Sequence, residues 1–236
     1  VSLYSMNSKI HDSITQVNGS YEKTIKSIMK LIENDIPLQI SCPILKQNKD
    51  CYKDVENWAK KHNIHVGSDY LIIGRYNNTI QNLDSRLSIS EVKEIINDLI
   101  VNDPEYIKKI ESESENKKNI SENDFICSVC SSSICISETG YVYPCAGWQE
   151  YVVGDANNTS IKEIWNNSNK IKYLRNLRRI NFTQCIECSD KEYCTMCMVR
   201  NANENPKGDP LLVSEFYCNV VKLNKEMTIE WKKIIN

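Results

Sequence analysis

The chain has 236 residues, 41% of them hydrophobic, enough to bury a sizeable core in one large domain or two small ones. Its 29 basic and 31 acidic residues nearly cancel, giving neither the basic excess of a nucleic-acid binder nor the acidity of a disordered chain. No apolar run approaches a bilayer's width and no basic-then-apolar start resembles a secretion signal, so a cytoplasmic location is expected, with neither nucleic acid nor membrane as partner.

Residues 1–6 read as a short strand. Residues 19–33 have helical spacing, with Ile25, Ile28, Met29 and Ile32 on one face. Residues 38–45 read as a strand, 51–61 as a helix with Val55, Trp58 and Ala59 on its apolar side, and 65–73 as a further strand. This strand–helix–strand–helix–strand order is the signature of βα units with parallel strands, an α/β class. His11 reads as a surface loop residue, and Gly67 and Gly74 as turns beside strands. Residues 90–99 predict a helix capped by Ser90, with Val92, Ile95, Ile96 and Leu99 as its apolar face.

The texture then changes. Residues 111–124 are polar and charged and read as a linker or a solvated helix end, dividing residues 1–110 from a cysteine-rich domain over 125–236 with a C-terminal helix. Ile134 and Ile136 bracket Cys135, and Val142 and Tyr143 precede Pro144, which suggests a small hairpin turning at Thr139 and Gly140. Residues 160–165 form a helix with Ser160 as cap and Glu163 completing a capping box. The basic run at 170–179, with Arg175, Arg178 and Arg179, reads as a solvated helix face. So small a domain is expected to have little core of its own and to draw folding energy from metal binding.

Of the 11 cysteines, Cys42 and Cys51 lie early and read as a core cysteine and a helix-start cysteine. The others are Cys127, Cys130, Cys135, Cys145, Cys185, Cys188, Cys194, Cys197 and Cys218. An odd total without a secretion signal argues against a disulfide framework, and thiolates are soft ligands that select zinc, copper(I) or iron–sulfur clusters. C-x2-C steps let two thiolates from one tight turn face the same centre. These thiolates exceed what one site needs, so two or more metal sites are expected, and spacing alone does not separate clusters from zinc.

The cysteine pattern resembles the SPASM domain, the C-terminal extension of many radical S-adenosylmethionine (radical SAM) enzymes. Gly140 and Cys145 fit its glycine-to-cysteine step, and Cys185, Cys188, Cys194, Cys197 and Cys218 fit the rest. The segment from Val153-Gly154-Asp155 to Ser160-Ile161-Lys162-Glu163-Ile164-Trp165 resembles the stretch between the cysteine groups. One step departs from the family: two residues separate Cys194 from Cys197, where the family usually has three. The resemblance implies two auxiliary [4Fe-4S] clusters. One would use Cys145 and Cys197, with Cys127 and either Cys130 or Cys135. The other would use Cys185, Cys188, Cys194 and Cys218.

The first part of the chain resembles the second half of the radical SAM barrel, through Ser2-Leu3-Tyr4, His11-Asp12-Ser13-Ile14-Thr15, Gly19-Ser20-Tyr21 and the run from Pro43 to Asn48. This implies a partial (βα) barrel, with Ser2, Tyr4, Ser41 and Asn48 at or just beyond strands, where barrel sites gather. The C-x3-C-x2-C motif of the SAM-cleaving cluster is absent from the sequence. S-adenosylmethionine is therefore expected in the parent enzyme only, and the chain is read as the later part of a longer or two-piece enzyme. The implied parent is a maturase of ribosomally made peptides, including those that gain thioether bridges. Its partners would be a precursor peptide, the missing N-terminal half and an electron-donor protein. The same residues also fit a zinc-binding interaction module, an electron-transfer protein or an inactive remnant of a maturase.

Overall fold

The computed structural model describes residues 1–116 and 121–235. The chain divides into two compact units, Val1–Ile72 with Leu83–Val92, and Ile73–Asn82 with Lys93–Asn236.

In the first unit, an isolated parallel bridge joins Ser2 to Ser41. Leu3 N donates to Ser41 O at 3.1 Å, and Ser41 N donates to Val1 O at 2.8 Å. Helix α1 (Ser8–Thr15) follows, capped by Asn7 Oδ1, which accepts from Lys9 N at 3.0 Å and Ile10 N at 3.4 Å. Then come α2 (Ser20–Glu33), β1 (Gln39–Pro43), α3 (Tyr52–Lys61) and β2 (His65–Asp69). Strands β1 and β2 are parallel, in register from Gln39 with His65 to Pro43 with Asp69.

The alternation of strand and helix is as the sequence implies, with three differences, the unforeseen helix α1 among them. The first strand is a single bridge. The last strand ends at Asp69, because Asp69 Oδ1 accepts from Leu71 N at 2.7 Å and turns the chain. Leu3, Ile28, Ile40, Cys42, Val55 and Ala59 are buried in this unit. His11 is not a surface loop residue: it lies in α1, fully buried.

Helix α4 (Ile89–Asn102) is capped by Ser88 rather than Ser90. Ser88 Oγ accepts from Glu91 N at 3.3 Å, and Glu91 Oε2 accepts from Ser88 N at 2.8 Å. This reciprocal pair is a capping box, and it holds the Glu91 carboxyl below its usual range. Helix α5 (Pro104–Asn116) makes the first part of the polar segment helical; residues 117–120 lie outside the described residues.

The second unit holds the expected hairpin. Strand β3 (Cys135–Ile136) pairs antiparallel with β4 (Tyr141–Tyr143), and β5 (Gly154–Asp155) extends the sheet. Gly140 sits in the turn at φ +85°, a conformation that side-chain-bearing residues rarely adopt. Helix α6 (Ile161–Asn167) starts at Ser160, whose Oγ accepts from Glu163 N at 3.2 Å. Then follow α7 (Asn169–Asn176), α8 (Met198–Asn203) and α9 (Glu215–Ile235).

The second unit does not lack a core, contrary to the expectation from its size. Val142, Trp148, Val153, Ile164, Ile171, Leu174, Phe182, Met198 and Val199 belong to one continuous buried cluster. The hairpin, α6, α7 and α8 each contribute an apolar face, so this unit has a hydrophobic core, against which Cys185, Cys194 and Cys197 pack. No helix among the described residues is long and apolar enough to cross a membrane.

Candidate metal centre

All eleven cysteines are free of disulfides. Their mutual electrostatics separate those of the second unit. Burial pushes the Cys127 thiol up; the Val129 N–H opposes this, and the thiols of Cys197 and Cys145 add to it. Burial pushes Cys130 up to about 11, against the nearby Arg175 guanidinium and with a contribution from Cys127. One group therefore gathers Cys127, Cys145 and Cys197, with Cys130 beside Cys127.

The chain geometry around this group is specific. Cys130 is fully buried at φ +58°, and its N–H donates to Ser133 O at 2.9 Å. Cys135 sits on β3 opposite Tyr143. Cys145 follows β4, and Cys197 immediately precedes α8.

The second group is distinct. Burial raises Cys185, with Cys218 and Cys188 adding to it and Arg179 opposing. Burial pushes Cys194 up to about 11, with Cys218, Cys185 and Cys188 adding and Arg179 again opposing. Cys218 is raised by burial and then by Cys188 and the carboxylates of Asp190 and Glu215. These four thiols line one cavity of about 390 Å³, which Arg179, Asp190, Met196 and Tyr217 help to enclose. Three of them come from loops with short 3-10 turns at Thr183–Cys185 and Lys191–Tyr193, and Cys218 comes from the first turn of α9. Among the described residues, no three His, Cys, Asp or Glu side chains converge tightly enough to hold a single metal ion.

The basic run at 170–179 is not a solvated helix face. Helix α7 stops at Asn176, and the following residues leave the helical path. Arg175 stacks over Trp165 at 4.3 Å and its Nε donates to Cys130 O at 2.6 Å. Arg178 stacks over Phe125 at 3.9 Å. Arg179 lines the second cavity. The helix end at residue 176, invisible in the charge pattern, redirects Arg178 and Arg179, while Arg175 turns inward from the last turn of α7.

In the first unit, Ser2 and Ser41 are exposed and face each other across the parallel bridge. Asn48 is fully buried and engaged by the backbone: Nδ2 donates to Tyr4 O at 2.7 Å and Pro43 O at 3.0 Å, and Oδ1 accepts from Leu45 N at 2.7 Å. That amide ties the ends of two strands together. Tyr4 packs against the His11 ring at 5.6 Å. Cys42 is buried, its thiol pushed up to about 12 mainly by desolvation, and Cys51 Sγ lies 3.3 Å from Ser5 Oγ. Both early cysteines are thus a core residue and a helix-start residue in the first unit.

The fold and the two thiol groups define a mixed α/β protein with a cysteine-rich module. Residues 127–198 match the SPASM family, described as an iron-sulfur cluster-binding domain. No curated protein matches the sequence. Among solved structures, the chain is similar to a hexahistidine-tagged anSMEcpe with bound AdoMet, with a TM-score of 0.65 and 14% identity, over 100% of this chain and 64% of that one. It is also similar to "Native anSMEcpe with bound AdoMet and Cp18Cys peptide", with a TM-score of 0.62 and 14% identity, over 100% of this chain and 69% of that one. The chain therefore spans less than two thirds of the first of these structures, and at this identity the likeness is one of fold. The resemblance to a SPASM domain is met by the family match over residues 127–198, and the chain shares the fold of the anSMEcpe structures.

Proposed function

We propose that this chain is the auxiliary-cluster part of a radical SAM enzyme that modifies a ribosomally made peptide. The observation that carries this reading is the single cavity lined by Cys185, Cys188, Cys194 and Cys218, together with another set, Cys127, Cys145 and Cys197, whose thiols act on one another. Each group would hold one [4Fe-4S] cluster, the Cys127 group completed by Cys130 or Cys135. Four thiols lining one cavity of about 390 Å³ are the soft ligand set that a [4Fe-4S] cluster takes. Such clusters supply one-electron chemistry, at potentials set by net charge, hydrogen bonds to sulfur and exposure.

The three parallel segments of the first unit support a partial radical SAM barrel. Ser2, Tyr4 and Ser41 would lie toward S-adenosylmethionine held in the parent enzyme, while Asn48 would support them through the Tyr4 carbonyl. The partners in this reading are a precursor peptide, an electron-donor protein and the segment that carries the SAM-cleaving cluster. The cysteine-rich domain over 125–236 would be the electron-carrying body.

The test is iron, sulfide and zinc analysis of the chain purified without oxygen. The reading requires about eight irons and about eight acid-labile sulfides per chain, the content of two four-iron clusters. Zinc without sulfide overturns it.

A further inference from the structure

We propose that Arg179 tunes the reduction potential of the centre built on Cys185, Cys188, Cys194 and Cys218, by presenting its Nε–H to sulfur of that centre. The inference rests on reading that centre as an iron–sulfur cluster.

Three observations converge on this residue. Its Nε is buried and has no hydrogen-bond partner in the protein, an expensive state for a cationic donor. Its side chain lines the same cavity as the four thiols. Its charge acts on two of them, Cys185 and Cys194.

The backbone holds the side chain in this position. Arg179 N donates to Asp124 O at 3.1 Å, and Arg179 O accepts from Phe182 N at 2.9 Å. The neighbouring arginines are committed elsewhere, Arg178 to the Phe125 ring and Arg175 to the Cys130 carbonyl. Of the other charges around the cavity, Asp190 is paired with Lys225 at 2.7 Å, and Lys191 and Glu215 stand at its edge.

The direction of the effect follows from charge. Reduction adds one electron to the cluster, drawn from a one-electron reductant, and makes its sulfurs more negative. A cation donating to sulfur through a buried Nε–H stabilises that state more than the oxidised one, so it raises the potential.

The test compares the full chain, purified without oxygen, with R179Q and R179K, in a dithionite titration followed by electron paramagnetic resonance. The expected result is unchanged iron and sulfide in both variants. In R179Q the reduction equilibrium of the second centre moves about tenfold toward the oxidised form, about 59 mV for a one-electron couple. R179K keeps the charge but not the Nε–H and moves it less. The first centre stays in place. An unmoved second centre in a fully loaded R179Q overturns the inference. Loss of about four irons from either variant also overturns it, because Arg179 would then build the site rather than tune it. A wild-type chain without iron and sulfide sinks the iron–sulfur reading itself, a result distinct from both.

Discussion

The Asp12 carboxylate accepts the Tyr21 backbone N–H at 2.9 Å, although the two residues belong to successive helices. Helix α2 begins after Gly19, which has no side chain to cap it. Asp12 of α1 supplies the missing acceptor and also takes Gly19 N at 2.7 Å and Ser20 Oγ at 2.8 Å. The Tyr21 bond is the largest of the causes that hold the Asp12 carboxyl below its usual range. A depressed carboxyl stabilises the fold fully above its unfolded value of about 3.9, and that contribution is lost as pH falls through the folded value. D12N is therefore expected to melt at lower temperature than wild type at neutral pH. The gap is expected to close in strong acid. A gap independent of pH would contradict this role.

His11 carries a second pH limb with the same sign. Its Nδ1 accepts the Tyr4 N–H at 3.3 Å, so the neutral ring is the one the fold uses. Burial pushes its pKa down, against the carboxylates of Asp12 and Glu22. Stability from this group is complete above about pH 6.5, the unfolded value, and declines as pH falls toward the lower folded value. Chemical denaturation at pH 7.5 and 5.5 is expected to show a loss in wild type that His11→Gln does not share.

Asn48→Ala leaves the Tyr4 and Pro43 carbonyls and the Leu45 N–H without their side-chain partner. The expected cost is about 3 kcal/mol, within the range for abandoned buried groups. It is read from denaturant midpoints, with the iron content of the folded fraction unchanged.

Gly74 is not a turn beside a strand but a close packing point. A Cβ there would stand 2.5 Å from the Asn203 carbonyl oxygen, and Asn203 Nδ2 donates to Gly74 O at 3.1 Å. Backbone cannot yield as a side-chain tip can. Gly74→Ala is expected to cost about 1–3 kcal/mol of overpacking strain, measured by thermal unfolding.

The thiol groups predict separable losses. Cys188→Ala and Cys145→Ala are each expected to remove about four irons, from different centres, with additive loss in the double variant. Cys42→Ala with Cys51→Ala is expected to leave iron content unchanged. Loss of iron in that last protein would place the early cysteines in a centre.

The parts of this fold that the sequence discloses are those with a local cause. Ile28 on the buried face of α2, Val55 and Ala59 on α3, and Gly140 at the hairpin turn all follow from period or from backbone freedom. The grouping of Cys185, Cys188 and Cys194 is local too, since short steps bring thiols together. What escapes is long-range. The Tyr4 carbonyl that Asn48 holds lies 44 residues away, and the Asn203 amide reaches a carbonyl 129 residues away. Helix α1 has few apolar positions and rests on its Asn7 cap, a signal easily passed over. The arginines read as solvated because charge, without the helix end at Asn176, does not say where a side chain turns.

Three residues of helix α9 serve the second cavity from one face of the helix. Cys218 and Val221 line it, and Lys225 pairs with Asp190 on its rim at 2.7 Å. These residues recur at steps of three and four along one face, so they share a single rotational phase. Inserting one residue between Val221 and Lys225 would swing the ammonium by about 100° around the helix axis. The thiol and the clamp would then face different ways. The centre is in this sense keyed to the pitch of a helix, and its tolerance to substitution along α9 should far exceed its tolerance to a change in length.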